Sequence, residues 1–244
     1  MSDNSNLIER LFNAGAHFGF SKSRRHPTVT PYIFANKQGT DIFDLEKTSA
    51  LLETAKETIK EAGTLGKTVL FVGTKDEVSK LVKTYAEKAE SPYVSNRWIG
   101  GVLTNFSEIK KRIARLKDLV AERESGELDR KYTKKERVLI GREVDKLLYN
   151  FGGISSLDRA PYMMVVVDPR HDIIAVTEAK DMKVPVIGIM SSDSNVKKIT
   201  TPVIVNDALT TSVELVLSEL VEAYLEGKKA YVPAPARKPT TNRR

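Results

Sequence analysis

Apolar residues recur along this chain with two different periods. Short continuous runs at residues 68–72, 163–167, 184–189 and 202–205 predict strands buried on both faces. Between and around them, helical spacing appears at 45–62, 76–89, 172–183 and 207–225, with Gly63 and Gly227 read as stop signals. Strands alternating with helices at this pitch predict βαβ units, and so a parallel sheet with helices on both faces.

The alternation breaks once. From Asn105 to Asn150 there is no strand signal. Ile109, Ile113, Leu116 and Val120 follow 4-3-4 spacing, as do Ile140, Val144, Leu147 and Phe151. Two such seams around Glu124-Ser125-Gly126 predict an antiparallel helical hairpin; the alternative is two helices packed flat on the sheet. Narrow stripes in a highly charged segment favour projection. Asn105 and Glu108 have the spacing of a capping box at its start. The expected organisation is a discontinuous α/β domain (1–104 and 151–227), a hairpin (105–150) and a tail (228–244). After Tyr231 the tail is rich in proline and basic residues, a composition that predicts disorder.

Charge sharpens this picture. The net charge is +7, unevenly spread. Residues 10–40 carry five basic and no acidic side chains, 105–150 carry 13 basic and 9 acidic, and 228–244 carry six basic and none acidic. The remainder is therefore acidic, and a basic skin on an acidic scaffold is the footprint of a polyanion-binding protein. Zero cysteines exclude disulfides and thiolate metal sites and fit a reducing compartment. The first nine residues are polar, which predicts no secretory signal, and the longest apolar run is far too short to span a membrane. A cytoplasmic protein is expected.

Catalytic signatures are missing. There is no G-x-G-x-x-G, and Gly73-Thr74-Lys75 lacks the spacing of a phosphate loop. His17, His26 and His171 have no second histidine or cysteine at ligand spacing. A rival reading remains, because ligands of doubly wound sheets bind at the carboxyl ends of the strands. An enzyme on a phosphorylated small molecule would use Thr74, Lys75, Asp168 and Arg170 there. A third reading is a protein-only adaptor that uses the hairpin.

The segment Asn96-Arg97-Trp98-Ile99-Gly100-Gly101 holds the only tryptophan, beside an arginine and two glycines at the mouth of a helix. Trp98 fits either base stacking or a packing anchor between sheet and hairpin; Arg97 fits a phosphate. The loop from Ser23 to Tyr32 combines basic residues, two prolines and an aromatic, suited to following a phosphate backbone. The candidate RNA contacts are Lys22, Arg24, Arg25, His26 and Lys37, then Arg97 and Trp98. Asn105, Lys110, Lys111, Arg112 and Arg115 complete the set at the start of the hairpin. If about a third of the 24 basic residues in the three basic segments reach phosphates, log affinity falls with log salt at a slope of roughly −6 to −7.

Ala14-Gly15-Ala16-His17-Phe18-Gly19, Pro31-Tyr32-Ile33-Phe34, Asp44-Leu45-Glu46-Lys47-Thr48 and residues 69–75 (VLFVGTK) are ordered blocks. With residues 96–106 (NRWIGGVLTNF), Gly152-Gly153-Ile154, 165–170 (VVVDPR) and 185–189 (PVIGI), the chain resembles the bacterial ribosomal protein S2 family from about Leu7 to Gly227. The resemblance implies a flavodoxin-like sheet with a protruding, coiled-coil-like hairpin and no catalytic activity or cofactor. It implies a structural role in the small ribosomal subunit, bound to small-subunit rRNA between head and body. Neighbouring ribosomal proteins, including the large mRNA-binding protein, would be its partners.

Three positions depart from the family pattern. Phe20 stands where His-Phe-Gly-His is common, Arg24-Arg25-His26-Pro27 lacks the usual tryptophan, and Ser191 replaces an aspartate, although Asp193 and Asp207 remain nearby. Some members use such histidine and aspartate positions for a divalent metal. With two of them replaced, weak or absent metal binding is expected.

Overall fold

The computed structural model describes residues 2–231. The chain opens with helix α1 (Ser2–Asn13) and a small antiparallel sheet of β1 (Phe18–Ser21), β2 (Ile33–Lys37) and β3 (Thr40–Phe43), in the order β1-β3-β2. Gln38 and Gly39, both at positive φ, close the β2–β3 hairpin. Helix α2 (Leu45–Thr64), β4 (Val69–Val72), α3 (Asp76–Lys88) and the two-residue β5 (Tyr93–Val94) follow. Next come α4 (Phe106–Glu124), a short α5 (Glu127–Lys131) and α6 (Lys134–Phe151). The chain ends with β6 (Met163–Val167), α7 (Ile173–Asp181), β7 (Val186–Met190), β8 (Thr201–Ile204) and α8 (Thr210–Ala230).

The main sheet is parallel, in the order β5-β4-β6-β7-β8. Counted from β4 this is 2-1-3-4-5, the flavodoxin-like order, with its switch point between β4 and β6. Every residue of β4, β6 and β7 is buried, as their continuous apolar runs require. Alternate side chains serve two cores. Val69, Phe71, Met163, Val165, Ile187 and Ile189 face α1, α2, α3 and α8. Leu70, Val72, Met164, Val166 and Met190 face α7, Trp98 and the inner faces of α4 and α6.

The expected helices and strands are present, with informative shifts. Gly63 and Gly227 do not end their helices: α2 runs to Thr64 and α8 to Ala230. The two glycines meet where α2 crosses α8. A Cβ on Gly227 would collide with the Lys60 carbonyl oxygen, and one on Gly63 would lie 2.5 Å from that of Tyr224. Their missing side chains permit a close helix crossing, which overrides glycine's tendency to end helices. Residues 228–230 of the expected tail are therefore helical, Tyr231 caps the helix, and 232–244 lie outside the described residues.

The Asn96 side-chain amide, ahead of α4, donates to the Tyr149 carbonyl near the end of α6 at 2.8 Å, and Arg115 further along α4 pairs with the earlier Glu143 of α6 at 3.4 Å. The two helices thus run antiparallel. Their seam uses Ile109, Ile113, Leu116, Val144 and Leu147 as expected, but Leu119 is fully buried and Val120 only partly. The Asn105 side chain makes no capping bond to the backbone; its Oδ1 accepts from Ser107 Oγ instead. A capping box forms at α6, where Glu136 accepts from the backbone and hydroxyl of Thr133. No helix among the described residues is long and apolar enough to cross a membrane.

Candidate nucleic-acid interface

Loops that leave the carboxyl ends of the parallel strands gather at one edge of the molecule. Residues 95–105 come from β5. Trp98 is buried, and its Nε1 donates to Glu178 of α7 at 3.1 Å. The backbone of Gly101 donates to the same carboxylate at 2.8 Å, and those of Leu103 and Thr104 at 3.1 and 3.3 Å, joined by the Thr104 hydroxyl. Gly101, at φ 95°, supplies the turn that aims these amides inward. Burial alone would raise the Glu178 carboxyl, but the amide and indole donors override it and hold it below the usual carboxylate range. The segment is a carboxylate clasp that fastens the hairpin root to α7. Trp98 is thus a packing anchor, its ring closed to a base, whereas Arg97 is exposed.

The N-terminal basic loop is folded onto the same end. The backbone N–H of His26 donates to the Ser192 carbonyl at 2.8 Å, and the Val196 N–H donates to Thr28 Oγ1 at 3.1 Å. Lys22 donates from its backbone to Gly39 at 2.9 Å, which brings the Lys37 turn alongside. Arg24 is exposed and sits 5.0 Å from the Phe20 ring centroid. Arg25 turns inward and forms a bidentate pair with buried Asp41, which also accepts from Asn36 at 2.8 Å. The Arg25 hydrogen bonds hold the Asp41 carboxyl below its ordinary value. Arg25 is thereby occupied in holding β3.

This docking brings His26 into one opening with Arg170, after β6, and Lys198, of the β7–β8 loop; Arg170, Lys197 and Lys198 are exposed. Sequence reasoning placed none of these three among the RNA contacts. The Lys197-Lys198 pair was the only signal, and two lysines alone do not show which face they join. On the hairpin, Asn105, Lys110, Lys111, Arg112 and Arg115 are all exposed; Lys111 pairs with Glu108 at 2.6 Å and Arg115 with Glu143 at 3.4 Å.

The switch point, where an enzyme of this fold would bind its ligand, is filled by the protein itself. Asp172 accepts from Thr74 N at 3.1 Å and from Thr74 Oγ1 at 2.6 Å, and Lys75 Nζ lies 3.2 Å from Asp168. Behind them Asp207 is fully buried, and neither of its carboxylate oxygens has a side-chain partner. Burial, then Asp168 and Asp193, push its pKa up to about 8, against the pull of Lys75. These side chains do not fit a divalent metal. Ser191 brings no carboxylate, Phe20 brings no imidazole, and the Phe20 backbone N–H occupies Ser192 Oγ at 2.9 Å. Among the described residues no group of three His, Asp or Glu side chains is placed to hold a metal ion.

Fold and site together define an α/β scaffold with a helical appendage, an occupied switch point and an external cationic surface. The family model for ribosomal protein S2 matches residues 11–227. Similar proteins include small ribosomal subunit protein uS2c of Emiliania huxleyi, 38% identical over 92% of this chain and 97% of its own length. Small ribosomal subunit protein uS2 of Coprothermobacter proteolyticus is 37% identical over 91% of this chain and 82% of its own, and that of Salinibacter ruber 39% over 90% and 68%. The chain belongs to the ribosomal protein S2 family. It is a structural protein of the small ribosomal subunit, located on the ribosome, and not an enzyme.

Proposed function

We propose that this protein binds small-subunit rRNA through the carboxyl end of its sheet and the basic face at the start of α4, acting as a structural constituent in translation on cytoplasmic ribosomes. The observation that carries this reading is the convergence of cations from three remote segments. Arg170 after β6 and Lys198 of the β7–β8 loop line one opening with His26 of the N-terminal loop, which is bonded to the β7–β8 loop, and Lys22, Arg24 and Lys197 would flank it. Arg97, Lys37, Lys110 and Arg112 extend that surface as phosphate contacts. Arg25 and Trp98 support it from inside, Arg25 through Asp41 and Trp98 through Glu178. The hairpin projects from the sheet domain and carries its cations outward.

Neighbouring ribosomal proteins, the large mRNA-binding protein among them, would dock on an apolar surface at the amino end of the chain. Phe18 and Phe34 on the small sheet are exposed, and exposed Phe12 stacks on His17 at 4.5 Å. Sedimentation of extract with and without ribonuclease, at low and high salt, tests the reading. The protein should travel with the small subunit and be released by ribonuclease or high salt. If it stays at the top of the gradient in every condition, the proposal is wrong.

A further inference from the structure

A cavity of about 240 Å³ opens on the cationic surface, between the β6–α7 turn and the β7–β8 loop. Its walls are apolar: Pro169, Ile173, Val176 and Ile199. Gly188 beneath allows this, since a Cβ there would lie 2.9 Å from Ile199 and 3.1 Å from Pro169. Two buried polar groups interrupt the apolar lining. Ser194 is 2% exposed and its hydroxyl has no partner, and the Asp193 side chain is 8% exposed with Oδ1 unpartnered. Buried polar atoms in folded proteins nearly always have partners, so both groups call for one. At the rim, Arg170 is held by Asp193 Oδ2 at 2.7 Å, and Lys198 and His26 complete the opening.

Apolar walls, a few convergent polar groups and a cationic rim are the chemistry of a nucleotide: a flat base, its polar edge and its phosphate. The volume lies below the roughly 300–1,000 Å³ of a drug-sized site, which suits one base and not a dinucleotide. We propose that this cavity takes one unstacked nucleotide of the bound RNA, its base against Ile173 and Ile199 and its phosphate between Arg170 and Lys198. The proposal rests on the RNA-binding reading above. A free nucleoside monophosphate presents the same chemistry, so the two sources have to be separated by experiment.

The full chain, labelled at isoleucine methyls, is titrated with each of the four nucleoside monophosphates and with inorganic phosphate. Protein-free small-subunit rRNA is bound in parallel, over a range of salt, by the natural protein and by Ile173→Trp. Ile173 is partly exposed, so the larger ring closes the cavity mouth without entering the core. Nucleotides should shift the Ile173 and Ile199 methyls at millimolar concentration, and phosphate should not. Ile173→Trp should abolish the Ile199 shift and weaken rRNA binding about tenfold, with the salt slope shallower by no more than about one, for the one phosphate that Arg170 and Lys198 no longer meet. Nucleotide shifts with unaltered rRNA binding by Ile173→Trp would assign the cavity to a free nucleotide and overturn the RNA source. Methyls that stay still, or that respond equally to phosphate, overturn the nucleotide site while rRNA binding by the natural protein leaves the wider reading intact. Failure of the natural protein to bind rRNA overturns both.

Discussion

Glu178 and Arg25 each show one buried side chain setting the position of a larger piece. Replacing Glu178 by Ala leaves the Trp98 indole and three backbone N–H groups facing an empty acceptor site. A buried donor left without its acceptor costs about 1–3 kcal/mol. Urea denaturation should show a drop of that order, and Glu178→Gln, which keeps one acceptor oxygen, should lose less. Because the folded carboxyl lies below its ordinary value, its stabilisation is complete above that ordinary value and fades as pH falls through the folded one. The gap between the natural protein and Glu178→Ala should therefore narrow in acid.

Arg24 and Arg25 are adjacent, yet opposite effects are expected. Arg25→Ala strands buried Asp41 and should destabilise by about 3–5 kcal/mol. Arg24→Ala, a change on the surface, should leave the melting temperature nearly unaltered and weaken rRNA binding. If Arg25→Ala melts normally, the inward role assigned to it is wrong. Asp207 has the opposite sign to Glu178: a folded carboxyl raised to about 8 binds its proton more tightly than the unfolded chain does. Its stability contribution is therefore complete at low pH and is lost as pH rises towards and through about 8. In chelator-washed protein, Asp207→Asn should flatten the decline in urea midpoint between about pH 4 and 8. Stoichiometric zinc or magnesium retained after that wash would overturn the poor metal fit.

At the scale of elements, the glycines divide by what surrounds them. A methyl added at Gly141 in α6 would have nothing within 4 Å, so Gly141→Ala should stabilise the helix by about 1 kcal/mol. Gly227→Ala should do the reverse, since the added carbon collides with the Lys60 carbonyl and pushes α8 from α2. A rise in melting temperature for both substitutions would exclude the close crossing. The same contrast explains what was legible in sequence. The strands at 69–72, 163–167 and 186–190 were readable because burial on both faces leaves an unbroken apolar run. Strands β1, β2 and β3 left no such run, because none is buried on both faces and the β2–β3 turn uses Gln38-Gly39 in place of Asn-Gly. Two-residue β5 is too short for any period. Seen only in one dimension, Gly63 and Gly227 resemble stops; each finds its partner in a helix at the other end of the chain.

For the whole molecule, the cationic edge makes a prediction about salt. Changing both Lys197 and Lys198 to Glu should weaken rRNA binding and make the log affinity–log salt slope shallower by roughly 2, about one for each phosphate no longer neutralised. The same change at Lys60 and Lys67, remote on α2 and in the turn before β4, should leave the slope as it was. Equal slopes for all variants would mean that the carboxyl end of the sheet is not the RNA-binding face.

Local pattern alone determined the parallel α/β class, the helical hairpin, the lack of a catalytic constellation and, through ordered blocks of residues, the family. The class and the hairpin follow from periodicity and spacing, and the family from the resemblance of those blocks, all of them legible along the chain without its tertiary contacts. What a charged side chain faces is not legible in that way. Only the tertiary structure decided that Arg25 and Trp98 turn inward, that Glu178 clasps the hairpin root, and that Lys197, Lys198 and Arg170 join the N-terminal loop on one surface. Each depends on partners 16 to 168 residues away, brought together when the strands' carboxyl ends line up across a buried sheet.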